Sequence, residues 1–309
     1  MPTVILLGPQ RFTRTLSEAA ARAGIAGRFA SVTAGWQERE AEDLELHEHL
    51  GERTGNLSLY ARTEDAFERD PALARAHRER QEKLRELQAL YRIRLGHAQA
   101  ALRELAGRES DPELLDEERT SALAAIRALD ARHLERVAEI HRRFESALRP
   151  RARPALARHR AAVERQLERS EAVLVAGGHV PVLLNRLRLF GFAELVGQRP
   201  VCAWSGGAMA MTERVVLFHH SPPQGYGNTE VLEAGLGLVR GLVVFPHARR
   251  RLLLDDARRM ELLARRFAPA ECLTLEDGAW LIDRDGTRES GPGLARLGTD
   301  GRVAPLAAA

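Results

Sequence analysis

The sequence predicts an α/β protein, an open, mainly parallel three-layer sheet interrupted by a long α-helical hairpin. Three observations carry this. The runs Val4–Leu7, Phe29–Val32 and 172–175 are apolar apart from Ser31, as strands buried on both faces are. Helical patterns alternate with them, which calls for crossover connections between parallel strands. From Glu64 to Ser170, glycine nearly vanishes, Val and Ile thin out, and Arg, Glu, Ala and Leu dominate.

In chain order, Val4–Leu7 is a strand and Thr15–Ala23 a short amphipathic helix stopped by Gly24. Phe29–Val32 is a second strand running into Thr33-Ala34-Gly35-Trp36. Glu38–Leu50 reads as a polar helix ended by Gly51, and Leu57–Tyr60 as a further short strand. Beyond residue 63, apolar residues recur at three- and four-residue steps. They run from Leu84 through Tyr91 and Leu95 to Leu105, and from Leu123 through Ile126 and Val137 to Leu148. Gly107 stops the first stripe. Asp111 can cap a second helix and Pro112 can take its first position. Pro150 and Pro154 mark the next break. The stripes mix seven- and eleven-residue spacing, so no long regular supercoil is required. The expected division is an α/β domain of residues 1–63 and 171–309, with a helical, coiled-coil-like insertion over 64–170. The insertion reads equally as a partner-binding arm or as a cap on its own domain.

Composition excludes several classes. The formal charge is +3 over 309 residues, and acidic residues match the abundant arginines, so no nucleic-acid partner is expected. Lys83 is the only lysine. Cys202 and Cys272 lie in apolar runs and suggest buried strand residues rather than a disulfide framework. Val4–Leu7 is too short for a leader's apolar region, and no apolar run has the length of a membrane span. A cytoplasmic protein without membrane association is expected.

The chemistry-bearing stretch is Pro200–Ala210, where an apolar run breaks at Ser205-Gly206-Gly207. A strand, a sharp turn carrying a serine and a helix of small residues make a nucleophile elbow. Ala203 stands in the first place of the usual Gly-x-Ser-x-Gly. Upstream, residues 171–175 run into Ala176-Gly177-Gly178-His179. Downstream, Gly241–Phe245 ends in Pro246-His247. Parallel strands deliver their C-terminal ends to one edge, where sites form. Three such ends would gather a serine, a histidine and glycine turns with free N–H groups, the parts of acyl transfer.

These segments resemble the serine peptidase family that includes cyanophycinase and the aspartyl dipeptidases, built on the class I glutamine amidotransferase-like fold, a flavodoxin-like three-layer sheet. The likeness rests on Ala176-Gly177-Gly178-His179, Trp204-Ser205-Gly206-Gly207-Ala208, Gly235-Leu236-Gly237-Leu238, Phe245-Pro246-His247 and Glu276-Asp277-Gly278-Ala279, across roughly residues 172–285. The resemblance implies Ser205 as nucleophile, His247 as general base, and Gly178 and Gly206 as oxyanion donors. It also implies an acid between serine and histidine, yet 218–228 contains no carboxylate. Glu230 is the nearest candidate for third member, with His219, His220 or Gln224 as substitutes. Ala248 stands where the family usually has Phe, and Phe245 where an Asp is frequent.

His179, at the Gly-Gly turn, is a candidate substrate contact. Among Arg249, Arg250 and Arg251, one could pair with a substrate carboxylate or with Asp255 or Asp256. His47 and His49 are split across a helix and make a poor metal pair. Gly235 and Gly237 lack the context of a dinucleotide fingerprint. The expectation is a serine hydrolase, a peptidase or dipeptidase-like enzyme without cofactor or metal, acting on a peptide or small amide. A homodimer through the sheet body or the arm is a further expectation. The alternative is a catalytically impaired amidotransferase-like binding or assembly protein working through its arm. A glutaminase would need cysteine at the elbow, and Cys202 lies three residues too early.

Overall fold

The computed structural model describes residues 2–218 and 229–306. Its strands are β1 (Val4–Leu7), β2 (Phe29–Val32), β3 (Thr54–Asn56), β4 (Ala172–Val175), β5 (Val201–Trp204), β6 (Arg214–Leu217), β7 (Glu230–Ala234), β8 (Leu242–Pro246), β9 (Glu271–Leu275), β10 (Trp280–Arg284), β11 (Thr287–Ser290), β12 (Leu294–Leu297) and β13 (Val303–Pro305). The main sheet has the order β11-β10-β1-β5-β4-β2-β3. β1, β5, β4, β2 and β3 pair in parallel, while β10 and β11 add an antiparallel edge.

Burial on both faces follows from the strand period of two. Val4, Leu6, Val173, Val175, Val201 and Ala203 enter one apolar layer. Ile5, Leu7, Ala172, Leu174, Cys202 and Trp204 enter the other. The second layer is closed by helix Leu16–Arg22 through Leu16, Ala19 and Ala20. The first is closed by helices Pro154–Glu168 and Val180–Phe190. The chain is thus a three-layer α/β protein with a long helical insertion.

The insertion is a hairpin of two arm helices, Pro71–Gly107 and Pro112–Leu148. Asp70 accepts from the Leu73 N–H at 3.0 Å and caps the first. Asp111 accepts from the N–H groups of Glu113 and Leu114 and caps the second, with Pro112 beside it. Tyr91, Leu95 and Leu102 of one helix share a core with Ile126 and Phe144 of the other. The hairpin lies against the body. Gln88 donates to Val231 O and Gln99 to Thr229 O, both at 3.2 Å, and His133 Nε2–H donates to Leu232 O at 2.9 Å. Deeper in the joint, Arg266 forms a bidentate pair with Asp130, both bonds 2.7 Å.

Two local expectations differ. Leu57–Tyr60 is not a strand: Asn56 ends β3, Ser58 takes φ 50°, and Leu59–Arg69 is helical. Leu57 and Leu59 alternate like strand residues but bury into the same core from a loop and a helix start. Glu38–Leu50 is not one helix. A 3-10 segment, Ala34–Arg39, is kinked at Gln37, φ 59°, and a separate helix spans Leu44–His49. Among the described residues, no helix is long and apolar enough to cross a membrane.

Candidate active site

Ser205 sits between β5 and the helix Gly206–Met211 at φ 50°, ψ −122°. This is strained backbone for a residue with a side chain, costing about 1–3 kcal/mol. Packing imposes it. The turn after β4 passes so close that a Cβ on Gly177 would stand 2.9 Å from both Ser205 Cβ and Gly206 N. Gly178 follows at φ 103°, a conformation that favours glycine. The two glycines let one strand end lie directly against the other.

Ser205, Gly177, Gly178 and His247 line one cavity of about 610 Å³ with Trp36 and Trp204. Among the described residues, no acceptor takes the backbone N–H of Gly178 or of Gly206. The His179 N–H is committed to Gly35 O at 2.7 Å, and its ring Nδ1 accepts from the Val182 N–H at 3.3 Å. His179 therefore caps helix Val180–Phe190, and it stands on the wall of a neighbouring cavity rather than this one.

His247 reaches the cavity by a route the sequence did not indicate. β8 is not a strand of the main sheet. It pairs in parallel with β9 in a second sheet of order β13-β12-β9-β8. His247 N–H donates to Leu275 O at 3.2 Å, and its backbone is left-handed at φ 58°, ψ 34°. The Glu276 carboxylate accepts from the Arg249 N–H at 2.8 Å and holds the turn. Burial lowers the basicity of the His247 ring, and the Arg251 and Arg250 charges add to that. The charge of Asp277 opposes it. Among the described residues, no hydrogen bond joins the ring to the Ser205 hydroxyl.

Glu230 is not brought to this site. Arg92 of the first arm helix donates to both its oxygens, at 2.6 and 2.7 Å, and ties β7 to the arm. The acid whose field acts on His247 is Asp277, in the turn after β9. The signal for it was the strand end Leu275-Glu276-Asp277-Gly278, lying beyond the histidine rather than before it. His219, His220 and Gln224 lie outside the described residues.

The cavity mouth carries charge. Arg11, Arg14, Glu42 and Glu45 all line it. Arg14 pairs with Glu45 and Arg39 with Glu42. Gln10 shapes this loop by accepting from the N–H groups of Thr15 and Leu16, both at 2.9 Å. Burial pushes the thiols of Cys202 and Cys272 up to about 12, so neither is a thiolate near neutral pH. Among the described residues, no three His, Cys, Asp or Glu side chains are grouped to hold a metal ion.

Fold and site together define an α/β protein with a serine elbow and a histidine on one cavity. No protein-family model matches the chain, and no curated protein matches it. Among solved structures, it is similar to the crystal structure of a peptidase from an acI-B1 Actinobacterium, at 12% identity and a TM-score of 0.49. The match covers 100% of this chain and 95% of that one.

Proposed function

We propose that the chain is a serine hydrolase of the peptidase type, working through an acyl-enzyme on Ser205. The observation that carries this reading is the strained strand-to-helix backbone of Ser205 on a cavity it shares with His247. A loop serine has no need of that strain, whereas an elbow uses it to hold the hydroxyl out of the sheet. The motif resemblance around Gly178, Ser205 and His247 points the same way.

Burial keeps His247 neutral near pH 7, as a general base must be. It takes the Ser205 proton as the hydroxyl attacks the carbonyl. The N–H groups of Gly178 and Gly206 are the donors for the oxyanion. Asp277 favours, through its charge, the imidazolium that forms. The imidazolium then protonates the leaving amine, and water attacks the acyl-enzyme with His247 again as base. The cavity volume suits a short peptide or small amide.

A fluorophosphonate probe tests this. Wild-type protein is expected to be labelled and Ser205→Ala not. Labelling of the variant, or none of the wild type, rejects the assignment. The unmade Ser205–His247 hydrogen bond favours a second reading, a silent binding or assembly protein that acts through its arm. Such bonds are commonly loose in unliganded enzymes, and the same labelling separates the two.

A further inference from the structure

The inner wall of the Ser205 cavity is apolar. Leu16 and Trp204, 1% and 8% exposed, line it together with Trp36 and Leu46. All four belong to the second apolar layer of the main sheet, Trp36 and Leu46 as its partly buried margin. That layer of the core thus continues into the cavity.

Both indoles stand beside the reacting centre. Trp204 immediately precedes Ser205 in the chain. Trp36 packs on the Gly178 turn, so closely that a Cβ on Gly178 would stand 3.0 Å from its Cδ1. Backbone bonds fix this placement. The Trp36 N–H donates to Thr33 O at 2.8 Å, and the adjoining Gly35 O accepts the His179 N–H at 2.7 Å. The aromatic wall and the turn that carries Gly178 are therefore tied together.

The lining ions stand at the exposed rim. Arg11, Arg14, Glu42 and Glu45 are all exposed. Arg14 holds Glu45, and Arg39 holds Glu42. Arg11 lies over the ring of Phe12, 5.4 Å from its centroid. His49 shares a 2.8 Å hydrogen bond with Ser17, and burial lowers the basicity of its ring. A carboxylate or ammonium driven in among the indoles and leucines would lose its water without gaining a partner there.

We propose that this wall is the specificity pocket, and that it takes the large apolar side chain, aromatic or leucine-like, of a peptide or amide whose carbonyl is presented to Ser205. The inference rests on the serine hydrolase reading and adds the substrate class. Trp36 and Leu46 determine the choice, because they are the apolar liners with surface left to bury.

The test compares 4-nitrophenyl esters of N-acetylphenylalanine, N-acetylalanine and N-acetylaspartate, with Ser205→Ala as the blank. The phenylalanine ester should exceed the alanine ester in kcat/KM by about 10–200-fold, and the aspartate ester should be no better than the alanine one. In Trp36→Ala the phenylalanine-to-alanine ratio should collapse toward parity. An aspartate ester preferred by wild type, or a loss in Trp36→Ala shared equally by both esters, overturns the proposal. Should Trp36→Ala fail to fold, the same ratio in Leu46→Ala decides, and an unchanged ratio overturns it. A binding measurement keeps the two readings apart. Two of the chain's three tryptophans line the cavity, so N-acetylphenylalanine amide should shift the indole emission of Ser205→Ala, and N-acetylaspartate amide should not. Binding without turnover rejects the nucleophile and keeps the pocket. Turnover without discrimination rejects the pocket and keeps the nucleophile, and the absence of both rejects both.

Discussion

Replacing Asp130 by Ala should do more damage than any other single change in the arm. Asp130 lies on the second arm helix and Arg266 on the body helix Ala257–Phe267, and their side chains are 5% and 4% exposed. The guanidinium is fully engaged. Besides the bidentate pair, Nη1 donates to Thr229 O at 2.6 Å and Nη2 to Tyr91 Oη at 3.0 Å. Tyr91 Oη in turn donates to Asp130 at 2.6 Å and accepts from the Val231 N–H at 3.2 Å. Removing Asp130 strands a cation where water does not reach, at a cost of about 3–5 kcal/mol. With an unfolding entropy of roughly 2 cal/mol/K per residue, that is about 5–8 °C in Tm for a chain of this length. Urea unfolding followed by circular dichroism measures the loss. Asp130→Leu with Arg266→Met removes both charges and should recover more than half of it, because the desolvation cost disappears with the pair. A single variant within about 1 kcal/mol of wild type, or a double variant no better than the single, would show that the joint is wet or the pair dispensable.

Four further outcomes follow from the site and the core. Because the charge of Asp277 favours the His247 imidazolium, Asp277→Asn should lower kcat by roughly tenfold, the equivalent of about one pKa unit, with KM little changed, measured on any amide or ester the protein turns over. Because burial depresses the His247 ring, the acid limb of kcat/KM should fall below pH 6.5, activity being lost as pH drops through that lowered value. A limb above 6.5 would contradict the burial argument. His77 donates to Asn185 Oδ1 at 2.7 Å, and burial takes its ring down to about 3. The unfolded chain therefore binds a proton near pH 6.5 that the folded chain refuses. Stability should fall between pH 6 and 4.5 by about 1.4 kcal/mol per pH unit from this group. Denaturant midpoints across that window should lose this slope in His77→Gln. Gly177→Ala should abolish probe labelling, since its methyl would stand against Ser205 and Gly206.

Much of the architecture was written in local pattern. β1, β4 and β5 are uninterrupted apolar runs, and β2 is broken only by Ser31, because both faces are covered, and a run of that kind has few other homes. The arm's break at Gly107 and Asp111-Pro112 follows from capping chemistry that acts within four residues. What was hidden depends on distant pairing. Nothing in Leu242–Pro246 says that it joins β9 rather than β5, so the route by which His247 enters the cavity could not be read. Glu230 looked free until the fold brought Arg92 to it from 138 positions away. Asp277 was passed over because the acid was sought on the near side of the histidine. Leu57–Tyr60 misled because a short alternating run fits a strand and a helix entry equally well.

Among the described residues, β7 is hydrogen-bonded to a strand on one flank, and Gln88 and His133 of the arm occupy the carbonyls of its Val231 and Leu232, with Gln99 on Thr229 just before it. Side chains from the hairpin thus stand in for a missing neighbour strand. Trimming the hairpin to obtain a smaller unit would bare that flank, and the ribbon would become a template on which other copies could stack. The insertion is therefore also a guard against self-association, and a truncated version would need a substitute cover to remain dispersed.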